Sequence, residues 1–272
     1  INLGIGNPDG IPHSEVIDAL GKASSESNNH GYQSYIGIPE LRQAFADWYT
    51  KYFDVELNPD NQILPLIGSK EGIMHISMAF LNPNDGVLVP NPGYPAYAAV
   101  SKLVGAKIHT YDLEESLNWQ PDLEKLEASD LSGVKLMWVN YPNMPTGQAA
   151  DPAFFVKLIA FANRNNILLV NDNPYSFILN DSPKSILSTP GAFDCTMELN
   201  SLSKSQNMAG WRMGMLAGKA EFIQYVLRIK SNMDSGQFKP MQIAATKALG
   251  LDKSWYDSIN TESKARRELI WK

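Results

Sequence analysis

The chain has 272 residues, 44% of them hydrophobic and 10% aromatic, enough for a substantial core and too many for a disordered or low-complexity chain. Its 23 Lys and Arg against 29 Asp and Glu give a net charge of −6, which disfavours a nucleic-acid-binding surface. A single cysteine, Cys195, excludes an intrachain disulfide framework and any multi-cysteine metal site, and the four histidines (His13, His30, His75, His109) lack metal-binding spacing. No apolar run approaches the ~18–20 residues of a membrane span, so a cytoplasmic enzyme of about one to two domains is expected. The opening Ile1-Asn2-Leu3 reads as a strand already under way, and Ile270-Trp271-Lys272 as an unfinished helix. A piece of a longer protein is therefore expected.

Helical and strand signals alternate along the chain. Leu41, Phe45, Trp48 and Tyr52 share one face at helical spacing and predict a helix over Pro39–Phe53, with Pro39 suited to its first turn. Ile63–Ile67 reads as a short strand, followed by a helix over Ser69–Leu81. A strand at Val87–Val89, a helix over Tyr94–Val104 and a strand at Lys107–Tyr111 come next. Leu136–Val139 and Ile167–Val170 are apolar strands separated by a helix over Pro152–Asn163, and Met213–Leu216 precedes a helix over Glu221–Lys230. Short apolar strands separated by helices predict an α/β fold with a mostly parallel sheet covered on both faces. The segment from about Gly236 is more helical and reads as the start of a second, smaller domain.

Ligands of open α/β sheets bind beyond the carboxyl ends of the strands, so the residues just past each strand are the candidates. After Ile63–Ile67 stands Gly68-Ser69-Lys70-Glu71. This is either a helix cap or, with its free N–H groups, an anion site. After Val87–Val89, in Asn91-Pro92-Gly93-Tyr94-Pro95-Ala96-Tyr97, Tyr94 either packs in a turn or stacks on a flat ligand. Asn140-Tyr141-Pro142-Asn143-Met144-Pro145-Thr146-Gly147 is a rigid polar turn. Asp172, just past a buried strand and followed by Tyr175, must be paired, solvated or engaged as a cap. The densest cluster runs from Ser201 through Ser203, Lys204 and Arg212 to Gly214. Lys204 there is either a solvated surface charge or a desolvated amine able to act as a nucleophile.

Taken together, these blocks resemble the pyridoxal-phosphate-dependent aminotransferases of class I/II, with the aspartate aminotransferase fold (fold type I). The resemblance rests on Ser201-x-Ser203-Lys204-x₇-Arg212-x-Gly214, and on the order of the blocks before it: Leu3-Gly4-Ile5-Gly6-Asn7-Pro8-Asp9, Tyr32-x₄-Gly37-x₃-Leu41-Arg42, Gly68-Ser69-Lys70-Glu71-Gly72, Asn91-Pro92-Gly93-Tyr94-Pro95, Pro145-Thr146-Gly147 and Asp172-x-x-Tyr175. Within the family the chain is similar to LL-diaminopimelate aminotransferase-like and to alanine or aromatic aminotransferase-like members. The resemblance implies pyridoxal 5′-phosphate as cofactor, with Lys204, Asp172 and Tyr175 as the catalytic set. Lys204 would bind the cofactor aldehyde and move the proton, Asp172 would pair with the ring nitrogen, and Tyr175 would hydrogen-bond the phenolic oxygen. Tyr94 would stack on the ring. Ser69, Lys70 through its backbone, Ser201 and Arg212 would hold the phosphate, with Ser203 a candidate for the same role. Tyr32, with Tyr35 as its rival, matches the tyrosine that reaches a neighbouring subunit's phosphate, which implies a homodimer with shared sites. Gly6 matches the glycine that touches the substrate carboxylate.

Two departures stand out. Where the family has Asn before Pro-Thr-Gly, this chain has Met144, which cannot donate to the phenolic oxygen, so Asn143 is the candidate substitute. Family members also carry, further on, an arginine that grips the substrate carboxylate; neither Arg266 nor Arg267 has its setting. The implied division is an N-terminal segment over residues 1–30, a large cofactor domain over 31–235 and the beginning of a small domain over 236–272. The implied reaction is transfer of an amino group between an amino acid and a 2-oxo acid. A Cβ–S lyase on the same scaffold and a non-catalytic sensing module are the rivals; no nucleic acid, membrane or metal partner is expected.

Overall fold

A computed structural model describes residues 6–149 and 151–271. The opening Ile1-Asn2-Leu3 strand and the first residues of the Leu3–Asp9 motif lie outside them. Among the described residues, seven strands form one sheet: β1 Ile63–Leu66, β2 Gly86–Asn91, β3 Lys107–Asp112, β4 Val134–Val139, β5 Leu168–Asp172, β6 Thr196–Ser201 and β7 Gly214–Gly218. The helices are α1 Ser14–Ser24, α2 Pro39–Phe53, α3 Ser69–Phe80, α4 Pro95–Leu103, α5 Leu123–Glu127, α6 Pro152–Asn165, α7 Ala192–Cys195, α8 Leu202–Ser205, α9 Ala220–Lys230, α10 Lys239–Leu249 and α11 Lys253–Ile270. None of them is long and apolar enough to cross a membrane.

The strand order is β1-β7-β6-β5-β4-β2-β3. Strands β2 to β6 pair in parallel, while β7 runs antiparallel to both β1 and β6. The chain therefore steps outward from β2 to β3, crosses to β4 on the other side of β2, and continues away through β5 and β6. Such a reversal opens a crevice at the carboxyl edge of the sheet. Because β7 runs the other way, the residues that enter it, including Arg212, reach that same edge.

Successive strand residues face opposite sides of the sheet, and both sides are buried. Leu64, Leu66, Val87, Val89, Leu136, Trp138, Val170, Leu199 and Leu216 pack under α3, α4 and α9. Ile63, Leu88, Met137, Val139, Leu169, Met215 and Ala217 share the other core with α2, α6 and α10. Helix boundaries reflect local chemistry. Pro39 opens α2, which stops at Asp54 in a left-handed conformation (φ 55). The Asp151 side chain caps α6 by accepting from Ala153 N–H.

The strand missing from the sequence reading is β6, because Glu198 and Asn200 interrupt its apolar run. Glu198 is nonetheless fully buried. Tyr49 Oη (2.9 Å), Asn171 Nδ2 (2.9 Å), Ser185 Oγ (2.7 Å) and Ile186 N–H (3.1 Å) all donate to its carboxylate. Burial raises its pKa against these donors. The dense Ser201–Gly214 cluster includes the one-turn α8 and a 3₁₀ turn at Ala209–Trp211. Beyond Gly236, α10 adds Ala244, Ala245 and Ala248 to the α2 core. Tyr256 of α11 stacks on Phe177 at 4.3 Å and accepts from Trp48 Nε1 at 2.9 Å.

Candidate active site

The segments just past β1, β2, β4, β5 and β6, and the one that enters β7, line a cavity of about 180 Å³ at the carboxyl edge of the sheet. Its walls include Ser69, Lys70, Tyr94, Asn140, Met144, Asp172, Tyr175, Ser201, Ser203, Lys204 and Arg212. Residues far apart in sequence thus meet because each sits just beyond a strand.

Asp172 ends β5 and is 4% exposed. Its Oδ2 accepts from Tyr97 Oη at 2.9 Å, whereas Oδ1 is buried without a partner. Burial pushes its carboxyl pKa up to about 6, opposed by the hydrogen bonds from Tyr97 and Ser69. Nearby Glu198 adds to the rise. Tyr97 is itself held rigidly, stacked on Trp138 at 5.1 Å with the rings 7° from parallel.

Lys204 lies in α8, immediately after β6, and is half-buried. Burial, and secondarily the charge of Arg212, lower its pKa, which favours the neutral amine. Its Nζ stands 5.6 Å from the centre of the Tyr175 ring and donates to the Gly6 carbonyl. Burial first, and then the Asp172 charge, raise the Tyr175 pKa, so its hydroxyl keeps its proton and can donate.

The opposite end is built for an anion. Ser69 and Lys70 open α3, whose N-terminus presents free N–H groups. Ser201 Oγ donates to Ser203 Oγ at 2.9 Å, and Arg212 Nη1 reaches Ser203 Oγ at 3.4 Å. The guanidinium lies against Gly68, where a Cβ would come within 2.2 Å of Nη2 and φ is +79°. Only glycine accommodates that backbone together with that approach.

These residues fit pyridoxal 5′-phosphate. The orphaned, buried Asp172 Oδ1 suits a protonated ring nitrogen, the Lys204 amine suits the aldehyde, and the α3 end with Arg212 suits the phosphate. Tyr94 lies on the cavity wall with its ring edge-on to Tyr97 at 5.6 Å.

Asn143, the candidate substitute, is not among the residues that line this cavity. Its Nδ2 donates to Asn140 O at 3.2 Å, and its Oδ1 accepts from Thr146 N–H (3.3 Å) and Oγ1 (2.8 Å), so the turn engages both ends of the amide. The asparagine on the cavity wall is Asn140, whose Nδ2 donates to the Asp172 carbonyl at 2.6 Å and whose Oδ1 takes Met144 N–H at 2.7 Å. Met144 also lies on that wall. Tyr32 (94% exposed) and Tyr35 (45%) take no part in this cavity. Gly6 lines an adjoining cavity of about 220 Å³ that shares Tyr175 and Lys204.

Sequence reading gave no role to Tyr97 or Asn140. Tyr97 carried a usable signal, being one helical turn beyond Tyr94. Tyr97→Phe is expected to raise the Asp172 pKa further, because a donor to the charged form is lost. A move of the acid limb of the activity profile to higher pH, with about a tenfold fall in rate, would register it.

Residues 1–272 match the family Aminotransferase class I and II. The chain is 40% identical over 272 residues to LL-diaminopimelate aminotransferase of Aquifex aeolicus, covering 99% of this chain and 70% of that protein. It is 46% identical over 251 residues to LL-diaminopimelate aminotransferase of Dehalococcoides mccartyi, covering 92% and 65%. The chain thus spans about two thirds of the length of these curated relatives. Substrate-bound BacF from Bacillus subtilis superposes with a TM-score of 0.93 at 38% identity, covering 96% of this chain and 67% of that one. A family match that runs from the first residue to the last, on a sheet that gathers the matched residues around one cavity, makes this chain a member of the class I and II aminotransferases, which depend on pyridoxal phosphate.

Proposed function

We propose that this chain carries the catalytic centre of an aminotransferase that moves an amino group between an amino acid and a 2-oxo acid in two half-reactions. The observation that carries this reading is one cavity holding both a desolvated lysine, Lys204, and a buried carboxylate with a free oxygen, Asp172. When bound, pyridoxal phosphate supplies an electron sink for the substrate carbanion. Asp172 would hold a proton on the ring nitrogen across Oδ1, with Tyr97 and Ser69 keeping the carboxylate ionised. Lys204 Nζ would take the proton from the substrate Cα, its lowered pKa leaving the amine free to do so. Ser69, Ser201, Ser203 and Arg212 would fix the phosphate, and Gly6 would face the substrate side.

Relatives named LL-diaminopimelate aminotransferase make LL-diaminopimelate the donor to propose for this chain. The exposed Tyr32 supports a homodimer in which it reaches the neighbouring subunit's phosphate site. A cytoplasmic location and the division into residues 1–30, 31–235 and 236–272 belong to the same proposal. The test is a panel of amino donors, LL-diaminopimelate among them, incubated with 2-oxoglutarate. Formation of glutamate and the matching 2-oxo acid is expected. Release of ammonia and pyruvate instead would make the enzyme a lyase and overturn the reading.

A further inference from the structure

Behind the phosphate end of the cavity lies a charged cluster that the amino-transfer chemistry does not use. Lys230, the last residue of α9, is 1% exposed, and its Nζ meets Asp234 Oδ2 at 2.5 Å. Asp234 stands beside Glu71, in the first turn of α3, with a carboxylate oxygen of each and a ring nitrogen of His75 all within 4.8 Å of one another. Glu71 Oε1 meets Nε2 of the buried His75 at 2.8 Å, and Oε2 accepts from Ile67 N–H. Two carboxylates and one buried ammonium thus stand directly behind Ser69 and Lys70.

The cluster is also tied to the cup that surrounds the phosphate end. Asp234 Oδ1 accepts from Gly236 N–H at 2.9 Å. Next to it, Gln237 Nε2 donates to both Leu66 O and Arg212 O, each at 3.1 Å. Gly236 has φ +82°, and a Cβ there would come within 2.6 Å of Gln33 O and 2.8 Å of Ser34 O. The loop that carries Tyr32 therefore rests on this turn.

A carboxylate in the first turn of a helix favours the helix but repels an anion bound at the same end. We propose that Lys230 is a positioning residue for the phosphate cup: it offsets one of the two charges of the Glu71–Asp234 carboxylate pair, so that α3 can hold a phosphate. The inference rests on the reading of Ser69, Lys70, Ser201 and Arg212 as the phosphate site.

The experiment measures equilibrium binding of pyridoxal 5′-phosphate, inorganic phosphate and phosphate-free pyridoxal to the cofactor-free chain. Wild type is compared with Lys230→Met, Asp234→Asn and the double variant. Lys230→Met is expected to weaken both phosphate ligands about tenfold and leave pyridoxal unchanged. Asp234→Asn, which removes negative charge, is expected to bind them at least as tightly as wild type. The double variant is expected to return to within about twofold of wild type, since its charge is restored. Equal loss of pyridoxal binding, or no recovery in the double variant, would reduce the cluster to a structural strut and overturn the inference. Should Lys230→Met fail to fold, weaker phosphate binding by Asp234→Asn would overturn it equally. A wild-type chain that binds no phosphate ligand would instead defeat the reading of the cup itself.

Discussion

Lys204→Ala is expected to reduce amino-group transfer by about 10³–10⁴-fold, because one side chain both attaches the cofactor and moves the proton. No neighbour replaces it. Arg212 and Lys70 both sit at the opposite, anion-binding end of the cavity. Initial rates with an amino donor and 2-oxoglutarate would give the magnitude. Borohydride reduction and then peptide mapping would give the assignment, with the reduced cofactor expected on the Lys204 peptide of the wild type. Label on a different lysine would remove the chemical basis of the proposed function, whatever the rate of the variant.

Asp172→Asn keeps the shape of the side chain and removes its charge. Activity is expected to fall about 10²–10³-fold, the range for losing one preorganised charge partner of the reacting group. Stability of the cofactor-free chain is expected to move the other way. The folded-state carboxyl pKa is raised from 3.8 to about 6. Below about pH 4 both states are protonated and nothing is lost. Between about pH 4 and 6 the unfolded chain releases a proton that the folded chain keeps, so stability falls as pH rises through that window. The lost stability does not return above it. Asn does not titrate, so at pH 7 the variant is expected to be more stable by up to about 3 kcal/mol. Thermal denaturation of both proteins at pH 4 and pH 7 measures this. Their difference isolates Asp172, since the buried Glu198 titrates in both. A variant less stable than wild type at pH 7 would show that burial of the charge is already compensated.

These opposed effects arise from one piece of geometry. Asp172 is placed on a buried strand end with one oxygen held by Tyr97 and the other left open. A site prepared for a cationic ring is costly without it, and the cost lies in the same atoms that would perform the chemistry.

Much of this was legible in the sequence because it depends on neighbours along the chain. Pro39–Phe53 announced itself through apolar spacing and is a helix over those residues. The candidates beyond β1, β2, β5 and β6 stand just past short apolar runs or in the dense Ser201–Gly214 cluster, and Ser69, Tyr94, Asp172 and Lys204 do line one cavity. Strand β6 escaped because local pattern cannot foresee that Tyr49, Asn171, Ser185 and Ile186 will surround a glutamate in the middle of a strand. Helix α1 was missed although Val16, Leu20 and Ala23 repeat at helical spacing and pack toward the core.

By itself the sequence determined the order of the elements, the family and the residue types at each strand end, because periodicity and motif spacing are properties of the chain. Tertiary structure alone decided which side chains face the cavity. Asn143 and Asn140 lie three residues apart in one turn, yet the turn's own hydrogen bonds engage the first, while β5 alongside draws the second to the Asp172 carbonyl. Tyr97 became the partner of Asp172 only when the crossover set β2 beside β4 and brought α4 over the end of β5. Hydrogen-bond partners across strands are chosen by where the sheet puts them, and that choice is not written in the spacing of either residue.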